Sequence, residues 1–161
     1  MEPLRYRQPD PAYTLHRLSL DESLVEGYYR GYANQSLWPL CHAELGELRY
    51  VDSEWTAYRK ANEQFARTAA SYAVPESAVW LQDYHLALAP ARLRRETEAF
   101  IMQFWHIPWP SVHVFRTCPA TDARSSRASL ATDLLGFHLE SYGSKFLRLC
   151  GRVSSGGTDR S

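Results

Sequence analysis

An α/β domain built on a parallel sheet is the fold class this sequence predicts, and two observations carry it. Short apolar runs, AVWLQ (78–82), FIMQFW (100–105) and LLGF (134–137), are set apart by stretches of helical character. Helix and strand signals also alternate along the chain, in the order helix, strand, helix, strand, helix, strand, helix. That alternation belongs to crossover units with helices on the sheet faces, not to hairpins.

The elements follow in order. Residues 1–20 are charged and proline-rich and read as an irregular arm. A helix start signal lies at Asp21 or Ser23, followed by aromatics interrupted by Gly27 and Gly31; Pro39 should end or kink any helix there. The clearest helix runs from about Trp55 to Tyr72, where Trp55, Tyr58, Asn62, Phe65, Ala69 and Tyr72 recur at helical steps, with Ser53 and Thr56 as a plausible start. Pro75 breaks that pattern, and AVWLQ reads as a buried strand. LALAPARLRRE reads as a helix kinked near Pro90. FIMQFW is apolar without alternation, as expected of a strand covered on both faces. Residues 111–126 carry no clear signal. ASLATD gives a short helical piece, LLGF a third strand and SYGSKFLRLC a closing amphipathic helix. Residues 21–152 thus form the domain, and 153–161 read as a disordered tail.

Composition narrows the classes of function. The chain has 161 residues, enough for about one core and one domain. Lys plus Arg equals Asp plus Glu, so no bulk field draws the chain to nucleic acid or to an anionic membrane. Cys41, Cys118 and Cys150 are far apart and form no CxxC pair, which argues for reduced core thiols over disulfides or a thiolate zinc site. The opening residues are no signal peptide, and no window is apolar enough to span a membrane. The expected setting is the cytoplasm.

Ligands of open parallel sheets bind beyond the carboxyl ends of the strands. Each predicted strand runs into polar groups there: Asp83 and His85 after the first, His106 after the second, His138 after the third. Together they could line one crevice. Each residue also has a plainer reading. An aspartate after a strand serves as a helix cap or turn residue, and a lone histidine is often hydrogen-bonded and structural. Three histidines could bind zinc, but no HxH or HExxH spacing supports a metal site. There is no GxGxxG or GxxxxGK[ST] phosphate loop after a strand and no GxSxG elbow.

The motifs reach further. YYRGYANQSLWPLCH, WTAYRKANEQFA, VWLQDYHLALAPARLRRE, FWHIPWP and DLLGFHLESYGSKFLRLC stand in the order found in trehalose-6-phosphate synthases. From about Tyr13 to Cys150 the chain resembles that family, glycosyltransferase family 20, which also holds glucosylglycerol-phosphate synthases. The resemblance implies a partial N-terminal, Rossmann-like acceptor domain of a GT-B enzyme, with helices on both sheet faces. Such enzymes move glucose, usually from UDP-glucose, to glucose 6-phosphate, with retention and without a metal or other cofactor.

By the same resemblance, Tyr29 contacts the acceptor phosphate and Trp38 packs on the acceptor sugar, a use that suits an aromatic face. Asp83 hydrogen-bonds acceptor hydroxyls and orients the nucleophile. His106 contacts the donor glucose near the reacting centre, and Ile107 lines the same pocket. Asp83 and His106 are therefore the implied catalytic pair, working by position and charge stabilisation. His85 and His138 match family letters in type only and are expected to be structural.

There are departures. Nothing in MEPLRYRQPDPAY matches the family's opening strand, its glycine loop or its phosphate-binding arginine, so neither Arg5 nor Arg7 takes that role. QDYH stands where HDYH is commoner, and FWHIPWP where FLHIPFP is. After Thr117 the match weakens. The donor-domain motifs are not in this sequence. The expected partners are a sugar-phosphate acceptor, and a nucleotide sugar once a donor domain is supplied; the chain alone should have little transferase activity. The alternatives are a non-catalytic sugar-phosphate-binding or interaction fragment, pairing as a homo- or hetero-oligomer with a full-length homologue, and a gene remnant. Glycerol 3-phosphate remains an alternative acceptor.

Overall fold

The computed structural model describes residues 4–6, 13–115, 117 and 128–155. The first elements are two short strands, β1 (Leu4–Tyr6) and β2 (Tyr13–Leu15), paired antiparallel with Arg5 opposite Thr14. The arm read as irregular therefore contains a backbone ladder. At only three residues each, the strands are too short for apolar periodicity to reveal them.

Asp21 stands in extended conformation just before helix α1 (Glu22–Val25), where the start signal lay. The chain then runs as a π-helix from Glu26 to Leu37 and continues directly into α2 (Trp38–His42). Pro39 does not end the helical path. It occupies the first turn of the α segment, where its missing N–H costs little. The turn-off comes at Ala43, in the left-handed conformation (φ 62°), with Glu44 N–H closing on Pro39 O at 2.8 Å.

Helix α3 (Asp52–Ala70) is the central support. It begins three residues before the expected Trp55, with Asp52 and Glu54 in its first turn, where acidic groups suit the helix dipole. Trp55, Tyr58, Ala61, Asn62 and Ala66 are its buried face. The π-helix lies close against it. A Cβ on Gly27 would stand 2.7 Å from the Ala57 Cβ, so only glycine allows this approach.

Strands β3 (Ala78–Gln82), β4 (Phe100–Trp105) and β5 (Leu134–Phe137) pair in that order, all parallel. Between β3 and β4 lie a 3₁₀ turn (Tyr84–Leu86) and α4 (Ala89–Leu93). Pro90 sits in the first turn of α4, so it starts the helix instead of kinking a longer one. Helix α5 (Val112–Phe115) follows β4, and α6 (Glu140–Ser155) follows β5. Helix α6 thus reaches Ser155, three residues into the segment read as a tail. Cys118 and residues 156–161 lie outside the described part.

Burial alternates along β4, contrary to the expectation of two covered faces. Ile101, Gln103 and Trp105 are buried together with Leu81 of β3. On the opposite face Trp80, Met102 and Leu134 form one cross-strand row, with Phe100 beside it. Trp80 is 63% exposed, Leu134 55% and Phe100 47%. Among the described residues, helices cover one face of the sheet and leave an apolar face open. On the covered side, α3, the π-helix and α6 close an aromatic core that includes Tyr28, Tyr32, Trp55, Tyr58, Trp105, Trp109 and Phe146. Cys41 is buried within it and Cys150 packs against it. No helix of the described residues is long and apolar enough to cross a membrane.

Candidate functional site

The chain leaves β3 at Gln82 and turns at Asp83. That residue has φ 65° and ψ 178°, a conformation L-residues rarely adopt and that costs of order 1–3 kcal/mol. Five hydrogen bonds hold it, one of them from Leu86 N–H to Asp83 O (3.3 Å). Asp83 N–H donates to Phe104 O (2.7 Å), and Gln103 Nε2 donates to Asp83 O (3.2 Å). The carboxylate Oδ1 accepts from Tyr84 N–H (2.8 Å) and from His106 N–H (3.2 Å). One carboxylate oxygen thus ties the end of β3 to the end of β4. Among the described residues both bonds to the carboxylate use Oδ1, leaving Oδ2 as the oxygen available to an outside donor.

Helix α3 clamps the turn that follows. Tyr58 Oη donates to Tyr84 O and accepts from Ala87 N–H (3.2 Å). Asn62 Nδ2 donates to His85 O (3.0 Å) and to Tyr58 O (3.0 Å), while Asn62 Oδ1 accepts from Leu88 N–H (3.0 Å). Tyr84 Oη donates to Asn34 Oδ1 (2.9 Å), which joins the turn to the π-helix. The strained Asp83 is therefore flanked by backbone whose polar groups are largely spoken for.

Tyr29 projects from the π-helix and stacks on His85, with ring centroids 5.0 Å apart and planes 16° apart. His85 in turn lies against Tyr84 at 4.0 Å. Burial among these rings lowers the His85 imidazole below its ordinary value, and the Asp83 charge opposes that shift. Burial, with Asp83 adding to it, pushes the Tyr84 phenol upward. Both groups are thus uncharged at neutral pH, and the Tyr84 hydroxyl stays a donor. Trp38 is partly buried and stacks on His42 at 3.8 Å, and His42 Nδ1 lies 2.8 Å from Trp38 O. Trp38 has no recorded ring contact or hydrogen bond with Tyr29 or Asp83. Ile107 packs against the aromatic core just beyond His106.

The third strand end closes the group. His106 Nε2 lies 2.8 Å from Gln82 Oε1, and His106 Nδ1 lies 3.1 Å from His138 Nε2. Phe104 supports both imidazoles, at 4.7 and 4.9 Å. Its ring has room because Gly136 is its cross-strand neighbour; a Cβ there would sit 2.7 Å from Phe104 Cδ2. No group of three or more His, Cys, Asp or Glu able to hold a metal occurs among the described residues.

The structure therefore brings Asp83 and His106 into one bonded unit, sets Tyr29 beside it through His85, and places Ile107 on its margin. Trp38 stands further along the π-helix path. Sequence reading put His138 among the strand-end groups of one crevice but expected it to be structural, and it gave Gln82 no role. Strand register was the signal for them: Gln82 pairs with Phe104, Phe104 with Gly136, and His106 and His138 each lie two residues further on the same face. Asn34, Tyr58 and Asn62 were equally silent, since their polar atoms act only through contacts 23 to 50 residues away in sequence.

The sequence model of glycosyltransferase family 20 matches residues 6–161. A UDP-forming α,α-trehalose-phosphate synthase of Aspergillus niger is 39% identical over 140 residues, covering 83% of this chain and 29% of that protein. Among solved structures, a UDP-forming α,α-trehalose-phosphate synthase from Burkholderia vietnamiensis superposes with a TM-score of 0.85 at 29% identity, over 94% of this chain and 34% of that one. A Burkholderia xenovorans α,α-trehalose-phosphate synthase in complex with glucose-6-phosphate gives 0.79 at 26% identity, over 91% and 32%. The chain thus spans about a third or less of the proteins it resembles.

Proposed function

Because the chain belongs to glycosyltransferase family 20, we propose that it is the acceptor-binding part of a trehalose-6-phosphate synthase-like retaining glycosyltransferase. In this reading it binds glucose 6-phosphate, and the complete assembly transfers glucose to it from UDP-glucose in the cytoplasm. Tyr29 takes the acceptor phosphate, Trp38 packs on the acceptor ring and Asp83 orients the attacking hydroxyl through Oδ2. His106 and Ile107 meet the donor glucose. Nothing in the chemistry calls for a metal or cofactor; position and fixed dipoles do the work.

The observation that carries the reading is Asp83. Its backbone is held in a strained conformation, and its carboxylate is anchored by one oxygen to both strand ends. Strain of this kind collects where a side chain must be aimed. A second support is the His85–Tyr29 stack, which sets a phenol against the imidazole two residues along from Asp83. Donor contacts sit at one strand end only, so transfer awaits a donor-binding half, and a 161-residue polypeptide of this sequence should bind acceptor without turning over UDP-glucose.

Titrating the isotope-labelled chain with glucose 6-phosphate tests this. Shifts of the Tyr29 and Asp83 amides and the Trp38 indole are expected. A dispersed spectrum that ignores millimolar glucose 6-phosphate would sink the reading, and a response to glycerol 3-phosphate instead would reassign the acceptor. The open face of Trp80, Phe100, Met102 and Leu134 favours a second reading, in which the chain serves mainly as an interaction fragment. Sedimentation would separate the two: self-association with no sugar-phosphate response supports the second.

A further inference from the structure

Beyond the site residues assigned above, the row Gln82–His106–His138 has a chemistry of its own. Both ring nitrogens of His106 are engaged, Nε2 with Gln82 Oε1 and Nδ1 with His138 Nε2. Neutral imidazole carries one N–H and one acceptor nitrogen. An amide oxygen only accepts, so His106 must donate from Nε2. Its Nδ1 is then the acceptor, and the proton between the two rings belongs to His138 Nε2. The row runs one way: His138 donates to His106, and His106 donates to Gln82.

The surroundings support a built arrangement. Phe104 backs both rings, and Gly136 makes room for it. The His106 backbone is pinned independently by its N–H on Asp83 Oδ1. His138 leads into α6 and is fixed at the end of β5. Gln82 is exposed, as both rings are, but its side chain has no ring stacking on Phe104 to hold it and can leave.

We propose that His138 is a positioning residue that holds His106 as its Nε2–H tautomer, so that His106 offers a ligand one N–H donor, the one now resting on Gln82. A ligand oxygen, such as a sugar hydroxyl, takes the place of Gln82 Oε1 while His138 keeps the ring in place. A group that could only donate would find no acceptor on His106. The inference rests on the reading of His106 as a sugar contact only for the identity of that ligand; the row itself stands on geometry.

The test is a long-range proton–nitrogen correlation spectrum of the 161-residue chain labelled with ¹⁵N-histidine, at a pH where imidazoles are neutral. The expected His106 signature is a protonated Nε2 and a bare Nδ1. His138→Phe should change this from one dominant tautomer to comparable amounts of both, because an amide can turn to offer either end. His138→Lys, whose ammonium can only donate, should keep the wild-type signature. Gln82→Glu, which can only accept, should restore it in the His138→Phe background. Either of two results overturns the proposal: a proton on Nδ1 of wild-type His106, or tautomer populations identical in wild type and His138→Phe. The first needs no variant to fold. Glucose 6-phosphate plays no part in this experiment, so its failure leaves the acceptor reading standing, and the reverse holds as well.

Discussion

Replacing Asn62 by leucine probes how the strained turn is held. Asn62 is buried, 1% exposed, and its amide bonds both His85 O and Leu88 N–H, each at 3.0 Å. Leucine is close in volume, so little cavity forms, but two backbone groups in the turn lose their partners. An orphaned buried group costs about 1–3 kcal/mol. Both sites are part-buried, so water recovers some of this, and the expected loss is about 2–4 kcal/mol. Urea unfolding of the chain, followed by tryptophan fluorescence and far-ultraviolet circular dichroism, should show a lower midpoint with an unchanged slope. Tyr58→Phe removes the neighbouring hydroxyl, which serves Tyr84 O and Ala87 N–H in the same turn. The double variant should then be non-additive by about 0.5 kcal/mol or more. A loss under about 0.5 kcal/mol for Asn62→Leu would refute the clamp, since surface-like substitutions fall in that range.

Other expectations test the remaining parts. Asp83→Gly relieves the positive φ and loses the two Oδ1 bonds, so stability should change little while glucose 6-phosphate affinity falls about 10- to 100-fold, the loss of one charge-assisted bond of about 1.5–3 kcal/mol; wild-type affinity measured calorimetrically in that variant would remove Asp83 from the site. Gly27→Ala should cost about 1–3 kcal/mol, because its Cβ meets Ala57 Cβ at 2.7 Å, whereas Gly46→Ala, with nothing within 4 Å, should be nearly neutral. His85 has a folded-state pKa below its ordinary value of 6.5, so the unfolded chain binds more protons as the pH falls through that region. Its contribution is present above about pH 6.5 and is lost below it, down to the folded value; the His85→Gln variant should show a shallower acid-side fall, and an identical pH–stability curve would argue against a desolvated imidazole.

Much of this architecture was legible before the coordinates. AVWLQ and FIMQFW match β3 and β4 residue for residue, because apolar runs bounded by Pro75 and IPWP leave little choice. The α3 face was readable from its three- and four-residue steps. The π-helix was not. Its buried Tyr28, Gly31, Tyr32, Ala33, Ser36 and Leu37 fall at three- and four-residue steps that an α-helix would also use, so the pattern does not separate the two, and Gly27 and Gly31 looked like breaks when Gly27 is in fact a packing surface for Ala57. Pro39 and Pro90 misled for one reason: a proline inside a helical stretch also marks the first turn of a new segment. Met102 and Phe104 made β4 look covered on both faces, and apolarity alone does not say whether a neighbour is present. In the site, motif letters led to Asp83 and His106. His138 was legible as a strand-end group but not as a partner of His106, and the bonds that Tyr58 and Asn62 make to the turn after Asp83 come from a helix whose approach no local pattern encodes.

The Asp83 Oδ1 bond reaches the backbone of His106, not its ring. For anyone diversifying this scaffold, the two positions are therefore unequal. Every residue except proline supplies the N–H at 106, so a library at that position explores new side-chain chemistry while the join between the strand ends persists. A library at 83 removes that join in almost every member and changes the backbone preference as well. Variation at 106 is modular; variation at 83 rewrites both ends of the crevice at once.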